Sequence, residues 1–114
     1  MSGGISVVIA SGAGGEFLFR CLDALKDPAS KEAEEVIVVD RFGDEVRNRV
    51  RADYGWVTLI EAEGERPSVP ELRRQGVLAA KGDIVAVIEE HCVAPPDWLA
   101  NIKANFESGD AAIG

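Results

Sequence analysis

The sequence predicts an α/β protein, a three-layer αβα sandwich built on a mostly parallel sheet. Three observations carry that reading. Four short runs rich in β-branched residues, at 5–10, 36–40, 57–60 and 84–88, are apolar at consecutive rather than alternate positions, the pattern of strands buried on both faces. A segment with helical spacing separates each run from the next, and strands alternating with helices form parallel βαβ units with right-handed crossovers. Polar and glycine-rich residues follow the carboxyl ends of the runs, where open parallel sheets hold their ligands.

The elements follow in order. ISVVIA at 5–10 is the first strand, ended by the turn SGAGG. From Glu16 to Lys26, Phe17, Leu18, Cys21, Leu22 and Leu25 recur at helical spacing, and Asp27-Pro28 is expected to break that helix. VIVVD at 36–40 is the second strand, DEVRNRVRADYG at 44–55 a charged helix, and VTLI at 57–60 the third strand. Ser68-Val-Pro-Glu71 has the form of a capping box with proline in the first turn, which starts a helix expected to run to Lys81 and stop at Gly82. IVAVI at 84–88 is the fourth strand, EEHCVAPP a loop, and DWLANIKANFE at 97–107 the last helix. DAAIG at 110–114 has the composition of a strand cut off as it begins, so the domain is expected to be truncated and to leave a sheet edge through which copies self-associate.

Composition narrows the function. The chain has 114 residues, 46% of them apolar, which suits one domain spanning 1–114. Twelve Lys plus Arg against twenty Asp plus Glu give a net charge of −8, which opposes binding to nucleic acid or to an anionic membrane surface. No transmembrane run or signal peptide is visible, and a cytoplasmic location is expected. Two cysteines in no CxxC pair, Cys21 and Cys92, read as reduced thiols rather than a disulfide framework. Cys21 falls on the apolar stripe of the first helix. Cys92 beside His91 invites a nucleophile reading, which is set aside because adjacent side chains on an extended loop point apart.

The carboxyl-end rim gathers Ser11, Gly12, Gly14 and Gly15 after the first strand, Asp40 after the second, and Glu89, Glu90 and His91 after the fourth. Polar loops occur in any α/β domain, and a turn-capping role for Asp40 stands beside a ligand role. A dinucleotide fingerprint fails, because Phe17 occupies the third glycine position and Asp40 lies too far along the chain.

Several segments together resemble the family 2 glycosyltransferases. ISVVIAS is similar to that family's opening strand, EFLFRCLDAL to its first helix, EEVIVVD to its second strand ending in an acid, LRRQGVLAAKGD to its ARNxGxxxAxGD helix, and VAVIEEHCVAPPDWL to its DxD…PPxWL segment. The resemblance implies the Rossmann-like GT-A nucleotide-sugar-binding half of such an enzyme. It also implies roles: Asp40 contacts the nucleotide base, Arg73 reaches the nucleotide, Ser11 lines the base pocket, and Glu89 and His91 stand where the two DxD aspartates bind ribose and a divalent ion.

The departures shape the expectations. Asp40-Arg41-Phe42-Gly43-Asp44 stands where the family has DDGSTD, so a second carboxylate is lost. With Glu89 and His91 as the metal residues, the cofactor is a divalent ion, magnesium or manganese. An imidazole shifts the preference from hard magnesium toward manganese or zinc. No general base is assignable. The resulting expectation is the UDP- or GDP-sugar-binding portion of an enzyme that transfers a sugar to an acceptor hydroxyl, inactive as this fragment. A noncatalytic α/β nucleotide-binding or assembly module is the alternative.

Overall fold

The structure is a computed structural model and describes residues 4–12 and 15–107. Eight elements alternate along the chain: β1 (Ile5–Ser11), α1 (Gly15–Glu32), β2 (Glu35–Asp40), α2 (Asp44–Asp53), β3 (Val57–Glu61), α3 (Val69–Ala79), β4 (Ile84–Glu89) and α4 (Trp98–Glu107). The four strands form one sheet in the order β3-β2-β1-β4. All three ladders are parallel, with Ser11 beside Asp40, Ala10 beside Glu89 and Asp40 beside Glu61. All four carboxyl ends are thereby aligned on one rim.

The two central runs have both faces covered, whereas the edge strands β3 and β4, expected from sequence to be buried on both faces, are only partly covered because α3 lies over β1 and β2 alone on its side. Every residue of β1 is buried, and β2 is buried from Val36 to Asp40. One face, with Ile5, Val7, Ile9, Val36 and Val38, meets Leu18, Cys21, Leu22 and Leu25 of α1, Val46 and Val50 of α2, and Leu99 and Ile102 of α4. The opposite face, with Val8, Ala10, Ile37 and Val39, packs on Leu72 of α3. Helix α3 lies over β1 and β2, and β4 has on that side Val85 and Val87, which are 37% and 41% exposed.

Three helix ends differ from the sequence reading by two residues or more, and the first is that of α2, which stops at Asp53 rather than Gly55. Helix α1 continues through Pro28 to Glu32. Proline forfeits one backbone hydrogen bond, but Leu25 and Ala29 on either side of it are buried against the sheet, and that packing holds the last turn. Helix α3 stops at Ala79 rather than Lys81, with Ala80 already extended at φ −66° and ψ 138°. The next amides are drawn to partners at the amino ends of β2 and β1: Lys81 N–H donates to Glu35 Oε2 at 2.6 Å and Gly82 N–H to Ser6 Oγ at 2.8 Å. At the start of α3, Ser68 Oγ accepts from Glu71 N–H at 3.3 Å, while the Glu71 carboxylate accepts from Arg74 and Gln75. One half of the capping box is formed. The strand expected at 110–114 lies outside the described residues.

Candidate functional site

The rim begins with a buried pair. Ser11 and Asp40 end neighbouring strands and are fully buried, and Ser11 Oγ donates to Asp40 Oδ1 at 2.7 Å. Asp40 Oδ2 accepts from Gly43 N–H at 2.9 Å and from Arg47 Nε at 3.0 Å. The turn needs Gly43, whose φ of +138° disfavours any residue with a side chain. Arg47, in the first turns of α2, also donates through Nη2 to the Asp40 carbonyl at 2.9 Å and through Nη1 to Glu61 at 3.3 Å. Both oxygens of Asp40 are thus engaged within the protein, and its carboxylate braces the turn after β2. Arg51 and Arg47 together hold the exposed Glu61 carboxyl below its ordinary range, the Arg51 hydrogen bond being the larger cause.

Above this pair lies a cleft of about 380 Å3 lined by Gly12, Arg41, Phe42, Glu65, Arg66 and Pro67. Arg41 spans it, its Nη1 donating to the Pro67 carbonyl at 2.7 Å and its guanidinium lying over Gly12, where a Cβ would sit 2.9 Å from Cζ. Phe42 stands at its wall, 49% exposed. The two residues that replace the acidic repeat therefore supply a cation and an aromatic surface. A larger hollow of about 740 Å3 on the flank of α3, against Ile60 and Leu78, is lined by none of Ser11, Asp40, Arg73, Glu89 or His91.

The second part of the rim follows β4. Cys92 N–H donates to the Glu89 carbonyl at 3.0 Å, so residues 89–92 form a tight turn rather than an extended loop. The turn sends Glu90 inward, where it is 8% exposed and its Oε1 accepts from Gly12 N–H at 3.0 Å. Glu89, His91 and Cys92 face outward, each offering a ligand atom, and these atoms lie within 4.8 Å of one another. Glu89 Oε1 is 3.5 Å from Arg73 Nη2 and its Oε2 is 3.5 Å from His91 Nε2. The Phe17 ring meets the imidazole edge-on at 6.5 Å. Beneath the turn, Cys21 Sγ approaches the Glu89 carbonyl at 3.9 Å. Burial, with Cys92 and Glu90 nearby, pushes that thiol up to about 12 and leaves it unreactive.

The predicted site residues therefore fall into two groups, Ser11 with Asp40 and Arg73 with Glu89 and His91. The Gly12–Glu90 hydrogen bond joins them. Sequence reasoning missed Arg47, Arg41 with Phe42 as cleft walls, and Glu90 as an anchor. Only the substitutions within Asp40-Arg41-Phe42-Gly43-Asp44 signalled any of these in advance.

A parallel sheet in the order 3-2-1-4, with polar groups converging on its carboxyl ends, is the Rossmann-like arrangement of doubly wound α/β domains. The chain belongs to the family described as Glycosyl transferase family 2, whose profile matches residues 6–114. It is 30% identical over 82 residues to the glucosyl-dolichyl phosphate glucuronosyltransferase of Haloferax volcanii, covering 70% of this chain and 26% of that protein. Glucosyl-3-phosphoglycerate synthase from Mycobacterium tuberculosis, crystallised with Mn2+, UDP and glucosyl-3-phosphoglycerate, superposes with a TM-score of 0.77 at 20% identity, over 95% of this chain and 41% of that one. S. aureus TarS superposes with a TM-score of 0.77 at 17% identity, over 92% of this chain and 32% of that one. The chain thus spans about a quarter of the curated relative and less than half of these solved chains. Among the described residues, no helix is long and apolar enough to cross a membrane.

Proposed function

We propose that this chain is the donor-binding portion of a glycosyltransferase, a cytoplasmic domain that holds a UDP- or GDP-sugar for transfer to an acceptor hydroxyl. The observation that carries the reading is the junction at the rim. The cleft walled by Arg41 and Phe42 adjoins, through the Gly12–Glu90 bond, the chain of charged groups Arg73, Glu89 and His91. In this reading the base lies against Phe42 and the Arg41 guanidinium, and the buried Ser11–Asp40 pair acts from below by bracing the turn that carries them. Arg73 meets the diphosphate through charge-assisted hydrogen bonds. Glu89 and His91 hold a divalent ion, whose chemistry would be to neutralise charge on the diphosphate as it departs. A carboxylate and an imidazole fit manganese or zinc better than magnesium, which favours oxygen ligands throughout. By itself the chain binds donor without transferring sugar.

Calorimetric titration with UDP, GDP and NAD tests the proposal. One nucleoside diphosphate binds saturably and NAD does not, and Arg73→Ala weakens binding by about tenfold, the equivalent of one charge-assisted hydrogen bond of roughly 1.4 kcal/mol. Equal, weak heat from all three ligands would refute it. The engagement of both Asp40 oxygens within the protein also suits a noncatalytic binding module. That reading predicts nucleotide binding with neither donor hydrolysis nor transfer by the complete gene product.

A further inference from the structure

We infer that the turn after β4 is a mixed oxygen, nitrogen and sulfur site for a borderline-soft divalent ion, zinc before magnesium, with the Cys92 thiolate as its third protein ligand beside Glu89 and His91. The inference deepens the metal part of the proposed function and rests on that reading only for what occupies the ion's open position.

The geometry comes from the turn. The hydrogen bond from Cys92 N–H to the Glu89 carbonyl closes a four-residue turn, which brings the side chains of its first and last residues to one side. Glu90 points into the protein and ties the turn to Gly12, while the ligand atoms of Glu89, His91 and Cys92 lie within 4.8 Å of one another. Zinc bonds of roughly 2.0–2.3 Å place tetrahedral ligand atoms about 3.3–3.8 Å apart. Rotation of the exposed Glu89 and His91 side chains toward the half-buried Cys92 thiol closes that gap. Arg73 approaches Glu89 Oε1, which leaves Oε2, the oxygen facing His91, for the ion.

The donor set then selects the metal. Magnesium binds oxygen ligands in an octahedron, whereas thiolate with imidazole suits zinc and its neighbours in the transition series. Three protein ligands leave one tetrahedral position for a water or a phosphate oxygen, the arrangement of an open zinc site rather than a closed structural one. Binding releases the Cys92 proton to solvent and changes no oxidation state. Cys21, fully buried beneath the turn, does not take part.

Cobalt(II), a spectroscopic stand-in for zinc, tests the site on the whole chain without nucleotide. The expected result is a thiolate-to-cobalt charge-transfer band that zinc abolishes and a large excess of magnesium does not. Cys92→Ser removes the band and weakens zinc binding by about tenfold or more, and His91→Ala weakens it similarly. Absence of cobalt binding, a band unchanged in Cys92→Ser, or displacement of cobalt by equimolar magnesium would each overturn the inference. Because nucleotide is absent, each of these failures leaves the donor-binding reading standing, and failure of the UDP and GDP titrations leaves this one standing.

Discussion

Replacing Arg47 with Met tests whether the turn after β2 is held by a buried ion pair. Asp40 is fully buried and the Arg47 side chain is 16% exposed, so their contact is poorly screened. The substitution removes the Nε contact to the carboxylate and the Nη2 contact to the carbonyl. The contact to the exposed Glu61 adds little. Stranding a buried charge costs about 3–5 kcal/mol, but Ser11 Oγ and Gly43 N–H still solvate this carboxylate. The loss should therefore be about 2–3 kcal/mol, which lowers Tm by roughly 10 °C in a domain of this size. Urea denaturation followed by circular dichroism measures it. Arg47→Lys restores the charge without the planar fork and should recover only part of the loss. In a double-mutant cycle with Asp40→Asn, the combined loss should fall short of the sum by about 1–2 kcal/mol. An Arg47→Met variant within about 0.5 kcal/mol of wild type, or strict additivity in the cycle, would refute the reasoning.

Two further predictions concern the packing around the sheet. Tyr54 is the chain's one tyrosine; burial first, and then its hydrogen bond to Asp23 at 2.8 Å, push its hydroxyl up to about 12. A raised pKa in the folded state means stability is fully present below the ordinary tyrosine value of about 10 and is lost as pH rises from there toward 12. Phenolate absorbance should titrate late in the native protein, and Tyr54→Phe should flatten the alkaline loss of stability; ordinary titration near pH 10 in the folded state would contradict this. Gly76 of α3 lies against the sheet, where a Cβ would collide with Val8 and sit 3.2 Å from Val39 Cγ2. Gly76→Ala should therefore destabilise by about 1–2 kcal/mol despite a gain in helix propensity of about 1 kcal/mol, and a variant at least as stable as wild type by urea denaturation would show that α3 has room to shift.

The strands were legible because their signal is local. A continuous apolar run such as Ile5–Ala10 has to be buried on both sides, and only a central parallel strand satisfies that requirement. The start of α3 was equally clear, since Ser68 and Pro70 fix the conformation of their own turn. What escaped the sequence depends on partners far along the chain. Nothing in DEVRNRVRADYG distinguishes Arg47, which turns toward Asp40, from Arg49, which lies 4.4 Å from the centre of the Phe19 ring. The end of α3 was set by Glu35 and Ser6, and the persistence of α1 through Pro28 by burial of the residues flanking it. At the site, Glu89, Arg73 and His91 were each identified from sequence, but the tight turn that adds Cys92 is closed by a backbone hydrogen bond, and the inward anchoring of Glu90 depends on the amide of Gly12, just past β1 and far along the chain.

The strand order also sets a timetable. β1 lies in the middle of the sheet, and its two neighbours come from distant parts of the chain: Ser6 pairs with Glu35, whereas Ile5 pairs with Ile84. Emerging from a ribosome in order, β1, β2 and β3 can assemble while one edge of β1 still displays its amides and carbonyls to solvent, covered by neither strand nor helix. Long-range parallel pairing is slow to form, and an open apolar edge is a template for strands of other chains. The centre of the finished sheet is thus the margin of its precursor, and the yield of folded protein depends on how soon β4 arrives relative to a neighbouring chain.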